Sequence, residues 1–239
     1  MIVVQLQGGL GNQIFQYAAA LAVRTVMEDS RILFLTSENK HSTQNYFHLF
    51  RSGSQLREPI PIGNRYFQGD AFEAWNPKAY AKYKEIFLYG YFQFIPAIYP
   101  IIPQIQREFG ITYKIDAAFI HVRRGDYLEH PTLHWVQPAS YYEEGMKRIG
   151  AERWLLFSDD LDWCRQQPCF QRSDLTFVEE KDEVECLRMM AGCKQGALIS
   201  NSTFSYWGAM LGDLDCVVYP KKWYGDASPI LFPEGWMEL

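Results

Sequence analysis

Apolar runs of strand length alternate with segments of helical spacing along the second half of the chain. The predicted strands cover residues 115–122, 154–158, 175–178, 196–199 and 216–219. The predicted helices between them cover residues 138–149, 161–166, 183–191 and 204–211. Strands that alternate with helices favour right-handed β-α-β crossovers and a parallel sheet with helices on both faces. The pattern therefore predicts an α/β unit in this half.

The first half opens on the same pattern and then loses it. Residues 36–103 mix aromatic side chains with Pro and Gly, which predicts short helices and loops around few regular elements. The elements predicted in this half are strands at 2–6, 31–35 and 87–92 and helices at 14–27 and 96–109. We expect a boundary near residue 112, which gives an N-terminal lobe of residues 1–112 and a C-terminal lobe of residues 113–239.

A glycine-rich stretch, Gln7–Gln13, joins the first strand to the first helix. Glycines without Cβ let the backbone and the helix N-terminus approach a phosphate or a sugar closely. A tight turn with Asn12 as the helix cap explains the glycines nearly as well. The spacing is not Gly-x-Gly-x-x-Gly, and no acidic residue ends the next predicted strand, so a nicotinamide dinucleotide site has weak support.

Charge and cysteine content narrow the classes of partner. A net charge of -5 argues against a general nucleic-acid or anionic-membrane surface, so any anionic ligand must meet a local basic site. The 5 cysteines form no Cys-x-x-Cys pair, which is typical of reduced thiols in a cytosolic protein. The sequence contains no leader pattern and no run of membrane-spanning length. We expect a cytoplasmic protein without transmembrane insertion; peripheral attachment stays open.

The heptapeptide His121–Tyr127 combines two arginines with an acidic residue at a predicted strand end. In an open α/β sheet, ligands bind beyond the carboxyl ends of the strands. The planar, multi-donor guanidinium suits a diphosphate better than the ammonium of lysine does. Asp126 would lie within reach of the same pocket. The alternative is a surface ion pair of Arg123 or Arg124 with Asp126, which an arbitrary strand end would favour.

Polar residues follow two further predicted strands, and together they favour a ligand site over a surface ion pair. Asn201–Ser205 supplies hydroxyls and amides at a helix N-terminus, which suits a phosphate or plain capping by Ser202 or Thr203. Asp159 and Asp160 could cap the next helix, accept hydrogen bonds from a ribose or a guanine edge, or bind magnesium or manganese. Metal ranks third, because the arginines already offer neutralisation of a diphosphate and no further ligand cluster is present.

Several motifs occur together in an order that resembles the α-1,2-fucosyltransferases of glycosyltransferase family 11. These motifs are Gly8–Gln13 followed by Phe15–Tyr17, His121–Tyr127, Phe157–Asp160 and Ser200–Ser205 with Trp207 and Gly208. The resemblance implies an α/β, GT-B-like fold of two Rossmann-type lobes with a nucleotide-sugar cleft between them. It implies transfer of L-fucose from GDP-fucose with inversion, no cofactor and no obligatory metal. The continuation of Tyr91–Gln93 departs from the family pattern, and the chain is short for the family, which leaves the acceptor open.

The resemblance also implies roles for individual residues. Arg123 or Arg124 is expected to bind the diphosphate, assisted by Thr203 and Ser205. His121, Asp159 and Phe204 are candidates for the guanosine part. Asn12 is the candidate for the diphosphate from the N-terminal lobe, which is expected to be the acceptor side.

Asp126 is the first carboxylate to test as the general base that activates the acceptor hydroxyl. Its alternative role is to orient Arg124 or Tyr127. The acceptor expected from the resemblance is a galactose-terminated glycan, attacked through its 2-hydroxyl. Another GDP-sugar as donor, or a nucleotide- or glycan-binding module without turnover, are the alternatives, because the arginines and hydroxyls recognise a diphosphate and not the sugar.

Overall fold

A computed structural model describes residues 1–27, 30–36, 44–58, 63–68, 73–224 and 232–239. The chain forms two compact units, Met1–Gly110 and Ile111–Leu239. Each unit is built on its own sheet, and the named strands of both sheets pair in parallel. Within the described residues, no helix combines the length and the apolarity needed to cross a bilayer.

The first unit is organised around its first strand and first helix. Its strands are β1 (Ile2–Leu6), β2 (Ile32–Thr36), β3 (Gly53–Gln55), β4 (Arg65–Phe67) and β5 (Ile86–Tyr89), and its helices are α1 (Leu10–Arg24), α2 (Ile95–Ile98) and α3 (Ile102–Phe109). All five residues of β1 are buried, as expected for a parallel strand covered on both faces. The sheet order is β3-β2-β1-β5-β4, so β2 and β3 lie on one side of β1 and the later strands β5 and β4 lie on its other side. Such a reversal leaves a crevice at the carboxyl ends of the strands on either side of it.

The second unit has a longer parallel sheet, and its strands beyond the central strand follow a different order. Its strands are β6 (Ala118–Val122), β7 (Trp154–Ser158), β8 (Leu175–Phe177), β9 (Gly196–Leu198), β10 (Val217–Tyr219) and β11 (Met237–Glu238), and its helices are α4 (Ala139–Ile149), α5 (Leu161–Gln166), α6 (Glu183–Gly192) and α7 (Thr203–Met210). The order is β11-β10-β9-β6-β7-β8. Counted within the unit, this is the doubly wound order of dinucleotide-binding folds, and its reversal lies between β6 and β9.

Most elements predicted in the second half are confirmed, and those of the first half needed more correction. The first helix begins at Leu10, with Gly9 as its N-cap, and not at residue 14. Asn12 therefore lies in the first turn of α1, and the prediction that it caps the helix was wrong. The single helix predicted at 96–109 is divided into α2, a 3₁₀ turn and α3, because Pro100 and Pro103 cannot donate backbone hydrogen bonds.

Three short strands have no counterpart in the predictions. These are β3, β4 and β11, each of two or three residues. Their positions are half-exposed or exposed, so neither an apolar run nor a clear alternation marks them. They extend the sheets at their edges and leave the central strands, which carry the crevices, unchanged.

Gly145 lets α4 pack closely on the sheet of the second unit. A Cβ at this position would lie 2.3 Å from Cδ1 and 2.8 Å from Cδ2 of Leu198, which is fully buried in β9. Gly-to-Ala changes in an open helix gain about 1 kcal/mol, but overpacking a core costs about 1–3 kcal/mol. We expect Gly145→Ala to lower the free energy of unfolding, measured by urea titration. Ser140→Ala, on an exposed position of the same helix, should leave it almost unchanged; a stabilised Gly145→Ala would contradict the packing described.

Candidate active site

His121 lies at the reversal point of the second sheet and joins its two central strands. Side chains alternate along β6, so His121 points away from the core cluster formed by Ala118, Ile120 and Val122. Its Nδ1 lies 2.8 Å from Oγ of Ser200, which follows β9, and its ring lies 5.6 Å from that of Phe204. The side chain is buried, and burial, followed by the charge of Arg123, lowers the pKa of His121 to about 3. The imidazole is therefore neutral at pH 7.

Arg123 follows β6 by one residue and is held by two carboxylates. Its Nη2 lies 2.8 Å from Oδ1 of Asp126, and its Nη1 lies 3.1 Å from Oδ2 of Asp159. Burial opposes the charge, but the two carboxylates outweigh it and hold the pKa of Arg123 above its usual value. The side chain keeps 34% of its surface exposed. Since a guanidinium has five N–H donors, Arg123 keeps donors for an incoming anion.

Arg124 is enclosed more completely than Arg123. Its Nε donates to Oδ2 of Asp160 at 3.0 Å, and its guanidinium carbon lies 3.9 Å from the ring centroid of Trp163. Only 15% of the side chain is exposed. Asp160 also caps α5 by accepting from the backbone N–H of Trp163. Arg124 thus ties the arginine loop to the start of α5.

Asp159 supports both arginines. Its Oδ1 accepts from the backbone N–H of Arg124 at 2.9 Å, while its Oδ2 pairs with Arg123. Gly125 permits this approach, because a Cβ there would lie 2.7 Å from that Oδ2. The expected ion pair of Asp126 with Arg123 is confirmed, whereas the alternative in which Asp126 orients Arg124 was wrong. Asp126 pairs with Arg123, and Asp159 and Asp160 serve Arg124.

The start of α7 lies at the same edge of the sheet. Ser202 is the N-cap and accepts from the backbone N–H of Phe204, as capping predicts. Thr203 and Phe204 are half-buried. Ser205 is fully buried, and its hydroxyl donates to the backbone carbonyls of Ser200 and Ser202. Thr203 and Phe204 are therefore the more accessible residues of this turn.

Tyr127 connects the arginine loop with the loop after β9. Its hydroxyl donates to the backbone carbonyl of Asn201 at 2.9 Å, and the guanidinium of Arg123 lies 5.5 Å from its ring centroid. The ring of His134 stacks on it, with centroids 4.1 Å apart and planes 10° from parallel. No binding role was predicted for Tyr127. Its position in the heptapeptide could have indicated such a role, but its hydrogen-bond partner Asn201 is distant in the sequence and could not be predicted.

In the first unit, the glycine-rich turn is fixed by glutamine side chains. Gln16 bonds both the N–H and the carbonyl of Gln7, and Gln13 donates to the carbonyl of Gly8. Gly9 caps α1 without a side-chain hydrogen bond. Asn12 Oδ1 accepts from Nε2 of Gln93 at 3.1 Å, across the reversal point between β1 and β5. The structure thus brings the glycine-rich stretch and Tyr91–Gln93 together.

The two carboxylates that follow β7 already have partners in the structure. Asp159 pairs with Arg123, and Asp160 pairs with Arg124 and caps α5. No group of three or more His, Cys, Asp or Glu side chains in the described part of the chain is arranged to hold a metal ion.

Comparison with protein families gives one match across nearly the whole chain. The model of glycosyl transferase family 11 matches residues 1–230. An Escherichia coli O-antigen biosynthesis glycosyltransferase, WbnK, is 27% identical and aligns with 98% of this chain and 99% of its own. An E. coli α-1,2-colitosyltransferase is 24% identical, with coverage of 100% and 99%. A mouse galactoside 2-α-L-fucosyltransferase, Sec1, is 24% identical, with coverage of 91% and 66%.

Comparison with solved structures identifies the architecture. The α-1,6-fucosyltransferase NodZ, in a crystal soaked with GDP-fucose, superposes with a TM-score of 0.52 at 10% identity, over 88% of this chain and 92% of its own. At this identity the likeness establishes the fold alone. The expectation of two Rossmann-type lobes of the GT-B-like class is confirmed.

The buried neutral imidazole of His121 should make stability depend on pH. The folded-state pKa lies below the unfolded-state value of about 6.5, so the unfolded chain binds more protons between the two. The stabilisation is complete above the unfolded-state pKa and is lost as the pH falls toward the folded-state pKa. The loss of unfolding free energy caused by His121→Asn, from urea titrations, should therefore be about 2 kcal/mol smaller at pH 5 than at pH 7.

The exposed His130 supplies the control, because His130→Asn removes no buried imidazole and should leave the free energy of unfolding almost unchanged. Equal destabilisation by His121→Asn at pH 5 and pH 7 would mean that His121 is not held neutral in the folded protein.

Proposed function

This chain belongs to glycosyltransferase family 11, and from that membership and the geometry of its second unit we propose that it transfers L-fucose from GDP-fucose to the 2-hydroxyl of a galactoside. The product would be an α-1,2 linkage formed with inversion and without an obligatory metal. The mouse relative named a galactoside 2-α-L-fucosyltransferase supports the linkage and the acceptor. The NodZ crystal soaked with GDP-fucose supports the donor at the level of the fold.

The observation that carries this proposal is the arginine pair at the reversal point of a doubly wound sheet. Arg123 and Arg124 follow β6, where such sheets bind nucleotides. Both are positioned in advance, by Asp126, Asp159 and Asp160. Donors that are fixed before the reaction act strongly on charge that develops during it, because they need no reorganisation.

Arg123 is the residue we assign to the diphosphate. It is more exposed than Arg124, and its two carboxylate contacts use only part of its donor set. When the bond between fucose C1 and the β-phosphate oxygen breaks, negative charge grows on the leaving GDP. The guanidinium stabilises that charge, assisted by the half-buried Thr203 at the N-terminus of α7, whose dipole favours an anion. Ser205, expected to assist as well, is buried and fixes this turn through its bonds to backbone carbonyls.

The nucleoside is assigned to the opposite side of β6. The half-buried ring of Phe204 offers a face for guanine, and His121 supports that ring from beneath. Asp159 follows β7 and pairs with Arg123, so we keep it as a candidate for the guanosine part that acts by positioning the arginine. In the first unit, Asn12, whose Oδ1 accepts a hydrogen bond from Gln93, keeps its role as a candidate phosphate contact, as the family resemblance implies.

A colitosyl donor is the second candidate. The E. coli α-1,2-colitosyltransferase covers the whole of this chain, whereas the mouse fucosyltransferase aligns with 66% of its own length. The arginine and hydroxyl groups described above recognise the diphosphate shared by GDP-sugars. The sugar itself must therefore be decided by experiment.

Mass analysis of products tests the proposed reaction. The purified chain is incubated with GDP-fucose, GDP-colitose or GDP-mannose and a panel of galactosides, with and without EDTA. We expect a fucosylated galactoside whose linkage analysis gives α-1,2, formed at an unchanged rate in EDTA. Transfer from GDP-colitose alone would show that the donor is GDP-colitose and not GDP-fucose. Activity lost in EDTA and restored by manganese would overturn metal independence, and GDP binding without transfer from any donor would favour a binding module.

Substitution of Arg123 tests its contact with the diphosphate. Lysine keeps the charge but cannot make forked contacts. Hydrogen bonds to charged groups contribute about 1.5–3 kcal/mol, so Arg123→Lys should raise the calorimetric Kd for GDP by about 10- to 100-fold.

The matched control for this substitution is Arg172→Lys. Arg172 also pairs with a carboxylate, that of Asp174. It precedes β8 and so lies at the amino-terminal ends of the strands, away from the residues that follow their carboxyl ends. Its substitution should leave GDP affinity unchanged. GDP affinity within twofold of wild type in both Arg123→Lys and Arg124→Lys would remove the arginine pair from the diphosphate site.

A further inference from the structure

His134 is a second imidazole in this region, close enough to Arg123 for the guanidinium charge to lower its pKa. It lies between the 3₁₀ turn Asp126–Glu129 and α4. One face stacks on Tyr127 at 4.1 Å, and Tyr224 meets the ring edge-on at 5.6 Å. The ring is half-buried. Its backbone N–H donates to the carbonyl of His130, which fixes the local chain.

The ring nitrogens of His134 are available, in contrast to those of His121. His121 bonds Ser200 through Nδ1. Among the hydrogen bonds and ion pairs between described residues, none involves the side chain of His134. An imidazole that packing orients, and that keeps a nitrogen lone pair free, can accept a proton from a substrate.

Asp126, the other candidate for this task, is already committed to an arginine. Its Oδ1 lies 2.8 Å from Nη2 of Arg123, which also contacts Asp159. Protonation of Asp126 would weaken an ion pair that helps to position Arg123. Proton transfer to Asp126 would therefore disturb the arginine just as charge develops on the leaving group.

We propose that His134 is the general base that accepts the proton of the acceptor hydroxyl, and that Asp126 is a positioning residue for Arg123. This inference rests on the proposed glycosyl transfer. The acceptor oxygen forms a bond to C1 of the donor sugar, and the bond from C1 to the β-phosphate oxygen breaks with its electron pair remaining on GDP. The hydroxyl proton moves to a ring nitrogen of neutral His134. The resulting imidazolium then releases that proton to water.

The charges around His134 are consistent with this assignment. Burial lowers the pKa of His134, Asp126 raises it, and His130 and Arg123 lower it again. The phenol groups of Tyr127 and Tyr224 complete its surroundings. The ring is therefore neutral at pH 7, and the carboxylate of Asp126 favours the imidazolium that the reaction creates. Turnover that needs the neutral ring should be lost as the pH falls through the pKa of His134, below the usual 6.5.

Two substitutions separate catalysis from packing. His134→Phe keeps an aromatic ring to stack on Tyr127 but has no nitrogen, and His134→Asn removes the ring. If His134 is the base, both variants lose about 10²- to 10⁴-fold in kcat, lose the acidic limb of the pH profile, and keep the Kd for GDP. His130→Asn, four residues earlier, should keep the wild-type kcat at pH 7 and should retain an acidic limb. Full turnover in His134→Phe, or an acidic limb that persists in it, would overturn the proposal.

A measurement without turnover keeps this test independent of the donor. Histidine resonances of the full-length protein, assigned by comparison with His134→Phe, are titrated by NMR. We expect His134 to titrate below 6.5 and to shift lower still in Asp126→Asn. A His134 that is protonated at pH 7 would overturn the inference even if fucose transfer is confirmed. Absence of product from GDP-fucose with wild type would instead reject the proposed donor, and the variants would then be compared with the donor that is active.

Discussion

The contact of Asp159 with the arginine loop is the interaction on which the candidate site depends. One carboxylate bonds the backbone N–H of Arg124 and the guanidinium of Arg123, so it fixes the main chain and a side chain together. The contact requires a glycine at position 125, since a Cβ there would come within 2.7 Å of the carboxylate oxygen. Glycine in the heptapeptide thus admits a neighbouring loop, in addition to allowing a turn.

Charge compensation explains why two guanidiniums can sit at the edge of a core. Unpaired charges are costly to remove from water, whereas ion pairs with further hydrogen bonds reduce that cost. Arg123 and Arg124 are compensated by three carboxylates, and Arg124 also lies on the ring of Trp163. The ring of Tyr127 lies farther from Arg123, at 5.5 Å, and Arg123 stays more exposed. The two arginines therefore divide into one that is enclosed by the fold and one that can meet a ligand.

Both units carry polar residues beyond the carboxyl ends of their central parallel strands. Each has a central parallel strand, β1 or β6, with the next strands of the chain on one side and later strands on the other. In the first unit these residues are neutral, and Asn12 and Gln93 bond each other. In the second they are charged or hydroxylated. Guanidiniums and a helix N-terminus can pair with an anion, so this difference agrees with the proposed diphosphate site in the second unit.

The sequence by itself determined most elements of the second unit. It also determined that the polar residues of the candidate site follow the carboxyl ends of the strands. Strand β7 and helix α5 follow from the hydrophobic pattern with the same bounds, and parallel strands place the residues after β6, β7 and β9 together whatever their packing. The tertiary structure alone decided the partners within that group. Asp126 meets Arg123 and not Arg124, Tyr127 reaches Asn201, and His134 stacks on Tyr127 with its nitrogens unbonded among the described residues. Hydrophobic periodicity reports only which face of an element is buried, whereas these contacts depend on loop paths and rotamers set by residues far apart in the chain.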